Sequence, residues 1–554
     1  MKLNGARIVA QSLVEEGVKV VFGMPGGAIT PFYDVLPEFP IHHVLVRHEQ
    51  GASHMADGYG RASEDVGVCC ATSGPGALNL VPGIATAYLD STPMVAITAN
   101  VPTSLIGKDV FQECDITGIT LPITKHNYLV ERVEDLAKVM KEAFYLARTG
   151  RPGPVLVDVP KDVLLAETEF VYPKTVHLPG YNPTKHGNTA QIRKAAALIK
   201  DAERPVIIAG QGVIISRAEK ELLKLAETTG IPVITTLLGI GGFPESHRLS
   251  FGLLGLHGMA YANYAVHDCD LIVAIGMRFD DRVTGKVEEF APNAKVIHID
   301  IDPAEIGKNV RVTVPIVGDV KLVLERLNQE IVPASHEEWV VQIAAWREKH
   351  PATEVRESDT LLPQFPIKTL YHATEGKAII VSDVGQHQMW AAQLYWYDEP
   401  RTFITSGGMG TMGFSLPASI GVKLARPDKE VWVVVGDGSL QMNMQELATA
   451  VQEGVDIKIC LINNFCLGMV RQLQDLFYDK NYVATPLSGP DWVKLAEAYG
   501  IPGLRATRPE EVLPAIERAR AIQGPVLVEF QVEVAENVYP MVKPGRSLGE
   551  VMVG

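Results

Sequence analysis

The sequence predicts an α/β protein built from three doubly wound parallel-sheet domains. Short apolar runs rich in β-branched residues recur along the chain, and longer stretches with helical periodicity lie between them. Two segments rich in Pro, Gly or charged residues, 171–191 and 332–366, interrupt this alternation and are predicted to be linkers. A chain of 554 residues is long enough for about three domains, each with its own core.

The composition narrows the classes of protein to which the chain could belong. A formal charge of −15 and an isoelectric point near 5.5, without a long basic run, argue against nucleic acid or an anionic membrane as a partner. The six cysteines have neither the spacing of zinc ligands nor the density of a secreted disulfide scaffold. No apolar run reaches the length of a membrane span, and residues 1–23 resemble an amphipathic helix more than a signal sequence. We therefore expect a cytoplasmic protein.

Residues 1–170 form the first predicted unit. Its predicted strands include 18–22, 41–46, 66–71, 94–98 and 155–159. Glu49 follows the second of these strands, so its carboxylate is expected at an edge of the sheet. The alternative is a solvated glutamate at the start of a helix. Pro25 and Gly27 belong to a tight turn that would let a substrate approach the backbone.

Residues 189–331 form a second α/β unit. Its predicted strands are 206–209, 233–235, 271–275 and 296–299. Gly210, Gln211 and Gly212 follow the first of these strands. They lack the full GxGxxG spacing, so alone they are weak evidence for a dinucleotide site.

Residues 367–535 form the third unit, which contains two strongly apolar predicted strands, 431–435 and 457–462. The first is followed by Gly436, Asp437, Gly438 and Ser439. The glycines let backbone amides approach a ligand, and Ser439 is placed to cap a helix predicted over about 443–454. This turn therefore predicts an anion site.

A second turn is expected beside it, because Asn464 follows the other strand. Parallel strands of a right-handed crossover end at the same edge of a sheet, so Asp437 and Asn464 should lie close together. One carboxylate and one amide oxygen suit Mg²⁺, which completes its octahedron with phosphate oxygens and water. The pair predicts a magnesium-diphosphate anchor, and the alternative is two ordinary turns. A tail over 536–554 follows, and we consider it a possible lid.

At this point the sequence resembles a known family. GDG at 436–438 and NN at 463–464 are similar to the signature of thiamine diphosphate (ThDP) enzymes. The surrounding sequence resembles more closely the catalytic large subunits of acetohydroxyacid synthase, also called acetolactate synthase. The resemblance runs from about Asn4 to about Pro540 and is carried by stretches such as RHEQGASHMADGYGRA, ATSGPGALNL, RFDDRVTGK and SGGMGTMGFSLPA.

The resemblance implies a function for each unit. Residues 1–170 would be a pyrimidine-binding domain, 189–331 a central FAD-binding-like domain, and 367–535 a diphosphate-binding domain. The implied cofactors are ThDP, Mg²⁺ and an FAD that takes no part in redox chemistry. The implied activity is that of a transferase in branched-chain amino acid biosynthesis: it decarboxylates pyruvate and joins the remaining two-carbon unit to pyruvate or 2-oxobutyrate. The expected assembly is a homodimer or homotetramer with active sites at the subunit interface, and the resemblance adds a small regulatory subunit as a candidate partner.

The resemblance also assigns site residues. Glu49 would hydrogen-bond the aminopyrimidine ring from the subunit opposite the one that holds the diphosphate. The implied substrate-pocket residues are Gly27, Phe111, Gln112, Lys161, Arg282, Met469 and Leu473. The implied ThDP contacts are Pro25, Gly385, Gln386, His387, Gly410, Met412, Gly438 and Ser439. The implied FAD contacts are Gly210, Gln211, Gly212, Thr235, Leu237, Leu256, His257, Gly276, Arg278, Asp280 and Asp300. The implied metal positions are Asp437, Asn464 and Cys466.

Several of these residues have ordinary structural alternatives. Lys161 could be a surface charge and Phe111 a core residue. Arg282, implied to bind the carboxylate of the second keto acid, could instead pair with Asp280 or Asp281 on a surface loop. Met412, implied to be an apolar wedge under the cofactor, is of a residue type that usually fills core gaps.

Leu473 departs from the family pattern, in which biosynthetic members usually carry Trp. Met469, Leu473, Leu476 and Phe477 make an i, i+4, i+7, i+8 stripe, so periodicity alone predicts that Leu473 is core. The resemblance instead makes it a wall of the acceptor pocket. Loss of an aromatic face worth about 1 kcal/mol would weaken a preference for 2-oxobutyrate over pyruvate.

Three other functions remain open from the sequence. A pyruvate oxidase would reduce its flavin with pyruvate, and a simple 2-oxo acid decarboxylase would release aldehyde. A non-catalytic scaffold with the same fold would fail to bind ThDP.

Overall fold

The computed structural model describes residues 1–351 and 354–554. It contains three six-stranded parallel sheets flanked by helices, so the predicted fold class is confirmed. The strands between the sheet edges are buried on both faces, and for this reason they read in sequence as continuous apolar runs.

The first sheet lies in the N-terminal part of the chain and has the strand order β3-β2-β4-β5-β7-β6. A short antiparallel pair, β1 with β8, closes this part. Its strands are β1 Lys2–Asn4, β2 Val20–Gly23, β3 His42–Leu45, β4 Gly67–Ala71, β5 Met94–Asn100, β6 His126–Leu129, β7 Pro154–Pro160 and β8 Glu167–Glu169. Its helices are α1 Gly5–Glu15, α2 Thr30–Val35, α3 Glu49–Ala62, α4 Pro75–Asn79, α5 Val81–Leu89, α6 Ile116–Thr120, α7 Val133–Arg148 and α8 Lys161–Leu165.

The second sheet lies in the middle of the chain and has the order β11-β10-β9-β12-β13-β14. Its strands are β9 Pro205–Ala209, β10 Val233–Thr235, β11 Ser250–Leu253, β12 Leu271–Ile275, β13 Lys295–Asp300 and β14 Val314–Val317. Its helices are α9 Thr189–Asp201, α10 Gln211–Ile215, α11 Glu219–Thr229, α12 Ala260–Asp268, α13 Asp281–Thr284, α14 Val320–Glu330 and α15 Glu337–Lys349.

Helix α15 corrects the prediction that 332–366 is a linker throughout. Trp339 and Ile343 on this helix are buried in the core of the central sheet, and Trp339 donates to the carbonyl of Pro205. The charged residues that suggested a linker occupy the exposed face of the helix.

The third sheet has the order β16-β15-β17-β18-β20-β19. Its strands are β15 Ile379–Ser382, β16 Phe403–Thr405, β17 Val431–Gly436, β18 Ile457–Asn463, β19 Gly503–Ala506 and β20 Val526–Gln531. Its helices are α16 Gln364–Thr374, α17 Gln386–Leu394, α18 Ser415–Ala425, α19 Asp437–Asn443, α20 Leu447–Gln452, α21 Gly468–Phe477, α22 Trp492–Ala498 and α23 Pro509–Ala521.

The first and third sheets are joined by a close packing of α3 against α18. A Cβ atom at Gly58 would lie 2.2 Å from the carbonyl oxygen of Ala418, and one at Gly421 would lie 1.9 Å from that of Met55. Each helix therefore needs a glycine where the other helix's backbone approaches it. This contact fixes the two outer sheets relative to each other.

The tail after β20 packs against the central sheet. β21 Met541–Val542 pairs with β22 Val551–Met552, and the amide of Val542 donates to the carbonyl of Leu256. Val542 and Leu548 are buried in the core of the central sheet. The tail thus spans from the third sheet to the second. Among the described residues, no helix has the length and apolar character needed to cross a membrane.

Candidate active site

The predicted metal site lies at the carboxyl edge of the third sheet. Gly436 on β17 is in register with Ile462 on β18, so the residues that follow them emerge together. The buried Asp437 carboxylate accepts from the backbone amide of Cys466, and the same amide lies 3.2 Å from the Asn464 side-chain oxygen. Burial raises the pKa of Asp437 to about 6. A buried carboxylate beside an amide oxygen, with no ion-pair partner among the described residues, fits a divalent ion.

Two details of this turn differ from the prediction. The helix begins at Asp437 rather than near residue 443, and a 3-10 turn over Met444–Glu446 separates it from α20. Ser439 does not cap the helix, because it lies inside its first turn and its hydroxyl donates to the carbonyl of Val384 at 3.3 Å. The N-cap is Gly436, which contributes only extended backbone.

Cys466 is not suited to bind a hard cation through sulfur. Burial raises the pKa of its thiol, which keeps the sulfur neutral. What this position offers the site is its backbone, in the turn after β18. Within the described part of the chain there is no cluster of three or more His, Cys, Asp or Glu side chains of the kind that would bind a metal alone. A metal at Asp437 would therefore depend on amide, backbone and phosphate oxygens.

The loop after β15 lies beside this turn. Gly385 has a φ of 152°, and the imidazole of His387 packs where Cβ atoms at Gly385 and Gly436 would lie. His387 is buried, and its Nε2 atom has no partner among the described residues. Gln386 Oε1 lies 3.5 Å from Asn464 Nδ2. The predicted diphosphate loop and the predicted metal turn are therefore adjacent, and the orphaned imidazole nitrogen fits a bound polar group.

Asp383 is a site residue that the sequence analysis missed. It is fully buried, and its carboxylate accepts from the amides of Val384 at 2.8 Å, Gly413 at 2.9 Å and Ser415 at 2.8 Å. It therefore ties the loop after β15 to the loop before α18. Its position directly after an apolar strand was a signal that could have identified it.

Gly410 and Met412 lie in that second loop. Gly410 has a φ of 66°, a conformation that favours glycine. The methyl carbon of Met412 lies 3.7 Å from where a Cβ of Gly438 would be. Met412 is thus half-buried against the metal turn, at a position from which an apolar side chain could support a ligand.

Glu49 lies at the carboxyl edge of the first sheet, where it is the first residue of helix α3. Its side chain is buried, and Oε2 accepts from Asn79 Nδ2 at 3.0 Å. The alternative interpretation was a solvated glutamate at the start of a helix. Glu49 does begin a helix, but its side chain is buried. In the neighbouring turn, a Cβ at Gly26 would clash with Thr72, whereas Gly27 faces open space.

A cavity of about 870 Å³ lies between the second and third sheets. Its wall includes nine of the predicted FAD contacts, and the cavity extends to Gly410, Arg282, Met469 and Leu473. The nine are Gln211, Gly212, Leu237, Leu256, His257, Gly276, Arg278, Asp280 and Asp300. Its volume and mixed polar and apolar wall fit a dinucleotide.

Gly210 and Thr235, the other two predicted FAD contacts, lie behind this wall. Thr235 is buried in β10 and its hydroxyl donates to the carbonyl of Gly252. A Cβ at Gly210 would lie 2.2 Å from the carbonyl oxygen of Gly276, so this glycine permits close packing under the cavity. Burial raises the pKa of Asp300, at the end of β13, to about 7.

Arg282 lies at the cavity wall and also pairs with Asp281 at 3.3 Å, with 68% of its side chain exposed. The predicted ion pair is therefore present. An exposed guanidinium held this weakly is free to exchange Asp281 for another carboxylate.

The helix that carries Leu473 is buried on an unexpected face. On α21 the buried residues are Arg471 and Gln472, while Leu473 is half-buried at the cavity wall, so the prediction that Leu473 is core by periodicity was wrong. Arg471 donates to the carbonyl of Glu536 at 2.7 Å, and Gln472 exchanges hydrogen bonds with the backbone of Val538. The polar face is buried because the tail covers it.

Four of the predicted substrate residues lie away from the cavity. The residues described as lining the cavity do not include Gly27, Phe111, Gln112 or Lys161. They do not include Glu49 either. Phe111 is 88% exposed. Gln112 has a φ of 59° and packs against Gly74, and Lys161 is half-buried as the first residue of α8.

Comparison with known protein families finds three matching domains along the chain. Models of the thiamine pyrophosphate enzymes match the chain in three parts: the N-terminal TPP binding domain over 3–119, the central domain over 192–327 and the C-terminal TPP binding domain over 383–530. The fold and site therefore define a thiamine pyrophosphate enzyme.

Full-length relatives narrow this class. The chain is 51% identical to the acetolactate synthase large subunit of Corynebacterium glutamicum, over 99% of this chain and 90% of that protein. It is 47% identical to the acetolactate synthase large subunit of Haemophilus influenzae, over 100% of this chain and 98% of that protein. It is 46% identical to the acetolactate synthase isozyme 3 large subunit of Escherichia coli, over 99% of this chain and 98% of that protein. The chain belongs to the acetolactate synthase large-subunit family.

Proposed function

We propose that this chain is the catalytic subunit of a ThDP- and Mg²⁺-dependent acetolactate synthase. It would decarboxylate pyruvate and transfer the remaining two-carbon unit to a second 2-oxo acid, giving 2-acetolactate from pyruvate or 2-aceto-2-hydroxybutyrate from 2-oxobutyrate. The observation that carries the proposal is the buried pair of Asp437 and Asn464 at one sheet edge, next to the unpartnered His387 nitrogen.

Each group of residues has a distinct part in this proposal. Bound ThDP would supply a carbon nucleophile and an electron sink for decarboxylation. Asp437 and Asn464 would hold Mg²⁺ against the diphosphate. The buried Glu49 carboxyl would hold and return a proton at the aminopyrimidine ring. Arg282 would bind the acceptor's carboxylate, and Leu473 would contact its side chain.

The proposed cofactor of the large cavity is FAD. The reaction as proposed needs no net electron transfer, so the flavin would shape the site without being reduced. The close packing of Gly212 on Gly276 leaves bare backbone along the cavity wall, where a dinucleotide could approach. We also propose a cytoplasmic location, which the six free cysteines support.

The proposed active unit is a homodimer. Glu49 and Phe111 follow strands of the first sheet and lie outside the cavity that reaches Gly410 and Leu473. Phe111 is 88% exposed, so its ring is available to contact a second subunit. These residues would therefore complete the site of a partner subunit. Because several relatives are named large subunits, we also propose that a small subunit binds this chain.

Product analysis tests the activity. Purified protein is given ThDP, Mg²⁺, FAD and equal pyruvate and 2-oxobutyrate, and acetohydroxy acids, aldehyde and acetate are quantified. We expect acetohydroxy acids to predominate. Aldehyde alone would identify a decarboxylase, acetate with bleaching of the flavin would identify an oxidase, and failure to bind ThDP would identify a scaffold.

Subunit mixing tests the shared site. At ThDP and Mg²⁺ concentrations that just saturate the wild type, Glu49→Gln and Asp437→Asn should each be nearly inactive, because each removes a different half of the site. After co-refolding in equal amounts, half of the dimers contain one intact site, so activity should return to about a quarter of the wild-type value. A mixture as inactive as its components would show that both residues serve the same chain.

A further inference from the structure

The loop that contains Gly410 and Met412 is held by residues of the N-terminal part of the chain. This cofactor loop, residues 405–412, runs from the last residue of β16 towards α18. Asp90, the C-cap of α5, accepts from the backbone amide of Gly407 at 3.0 Å and from that of Gly408 at 2.6 Å. One carboxylate thus holds two consecutive amides of a loop more than 300 residues away.

Asp90 belongs to a buried charged triad. Arg61 on α3 lies between Asp57 and Asp90, with contacts of 2.6 Å and 2.8 Å, and all three side chains are at most 6% exposed. Arg61 also donates to the carbonyl of Thr405 at 2.9 Å, at the start of the cofactor loop. Arg61 and Asp90 together therefore bind the loop through both donors and acceptors.

An uncharged contact holds the other end of the same loop, at Thr411. The Thr86 hydroxyl donates to the carbonyl of Pro82 at 2.8 Å. At its 2.7 Å contact with the Thr411 hydroxyl, Thr411 must therefore be the donor. Thr411 directly separates Gly410 from Met412, so the anchoring extends into the part of the loop predicted to contact ThDP.

The charges explain why the loop amides are needed. The triad holds two carboxylates against one guanidinium, so its buried carboxylate oxygens need donors besides Arg61. The amides of Gly407 and Gly408 are such donors, and hydrogen bonds to an ionised group are the strong ones. A Cβ at Gly408 would lie 2.8 Å from Asp90 Oδ1, so the approach also requires glycine.

We propose that Asp90 is a positioning residue for ThDP, which fixes the cofactor loop so that Gly410 and Met412 are held ready for the aminopyrimidine ring. The inference rests on the proposed function. It assigns to α5 and α3 of one chain a part in shaping the cofactor site of the third sheet. It differs from the proposed role of Glu49, because Asp90 would act through the loop and not by contact with the cofactor.

A matched variant separates positioning from stability. Asp57→Asn removes a carboxylate from the same triad, but within the described chain Asp57 bonds Arg61 and not the cofactor loop. Asp90→Asn removes an acceptor from the loop amides and presents an NH₂ group to them. Thr86→Val removes the hydrogen bond between Thr86 and Thr411 without changing charge or shape. Full-length wild type and the three variants are compared for unfolding temperature without cofactor, ThDP half-saturation, and kcat at saturating ThDP.

We expect Asp90→Asn to raise the ThDP concentration for half-saturation about tenfold, since it disrupts hydrogen bonds to a charged group. Thr86→Val should raise it about twofold to threefold, and Asp57→Asn should leave it near the wild-type value even where its unfolding temperature falls as far. Equal shifts for Asp57→Asn and Asp90→Asn, or no shift for Asp90→Asn and Thr86→Val, would overturn the inference. If Asp90→Asn does not fold, the Thr86→Val result decides. A wild type that needs no ThDP would instead refute the proposed function.

Discussion

The first and third sheets share one topology but carry different chemistry. Numbered within each sheet, both have the strand order 2-1-3-4-6-5, whereas the central sheet has the order 3-2-1-4-5-6. After the second strand, the first sheet places a buried carboxylate, Glu49, and the third places the backbone loop of Gly410. After the third strand, the first sheet has an uncharged turn and the third has Asp437. The scaffold therefore sets where the loops meet, and the loop residues set the chemistry.

The comparison predicts a division of labour between the two carboxylates, and this is the largest effect we expect. Glu49→Gln should lower kcat by about 100-fold or more while changing ThDP half-saturation little, because it removes a proton-transfer group. Asp437→Asn should mainly raise the ThDP and Mg²⁺ concentrations needed for activity. Steady-state kinetics with both cofactors titrated distinguish the two. Glu64→Gln, on an exposed ion pair with Arg217, is the control. If both variants changed the same kinetic parameter, the division would be wrong.

The second prediction concerns the helix pair that joins the two sheets. Gly421→Ala places a Cβ 1.9 Å from a backbone oxygen of α3, so α3 and α18 must separate. We expect a loss of about 1–3 kcal/mol in the free energy of unfolding, which exceeds the gain from replacing a helical glycine. Chemical denaturation measures it. Gly153→Ala is the matched control, because its Cβ would make only an ordinary contact at 3.6 Å with Lys125. If the two variants were equally stable, the close contact at Gly421 would not be what holds α3 against α18.

The third prediction concerns Glu446, which joins the same two sheets. Its carboxylate accepts from the amides of Arg47 and His48, and burial raises its pKa from 4.5 to about 7. A raised folded-state pKa means that the stabilisation is complete below pH 4.5 and is lost as the pH rises through 7.

Glu446→Gln removes this titration. The advantage of the wild type over Glu446→Gln should therefore narrow by a few degrees in unfolding temperature between pH 5 and pH 8, measured without cofactors. A difference that stays constant, or widens with pH, would contradict the sign. Glu64→Gln, whose exposed carboxylate pairs with Arg217, controls for the loss of a carboxylate away from this joint.

The smallest predicted effect concerns the segments that follow the fourth strands. The first sheet presents Phe111 there, and the third presents Leu473 at the cavity wall. Leu473→Trp should shift acceptor choice toward 2-oxobutyrate by about 1 kcal/mol, a severalfold change in product ratio, because the ring adds apolar contact. Competition between pyruvate and 2-oxobutyrate measures it. The proposed role of Leu473 is wrong if the ratio does not change; Leu476→Trp, on the same helix, is the control.

The sequence predicted best what depends on local pattern. The strands Val233–Thr235 and Leu271–Ile275 have the predicted bounds, because strands buried on both faces read as uninterrupted apolar runs. The adjacency of Asp437 and Asn464 followed from the handedness of one crossover. The nine predicted cavity residues followed only from resemblance, since the spacing of Gly210 and Gly212 was weak evidence for a dinucleotide.

Features that depend on distant partners escaped prediction. Arg471 and Gln472 are buried because a tail more than 60 residues later covers them, and no local period contains that information. Asp90 reads as an ordinary helix end until the loop at Gly407 and Gly408 is folded against it. The start of α19 was missed because residues 437–443 lack an apolar stripe and the N-cap, Gly436, has no side chain.

The reciprocal glycine contact has a consequence for how this chain can vary over evolutionary time. At Gly58 and Gly421 the obstacle is the neighbouring backbone, which cannot rotate away as a side chain can. No substitution at Ala418 or Met55 makes room, because their carbonyl oxygens are common to every amino acid. A second mutation therefore cannot compensate for the loss of either glycine. We expect descendants of this chain to keep both glycines while the loops at the sheet edges diverge.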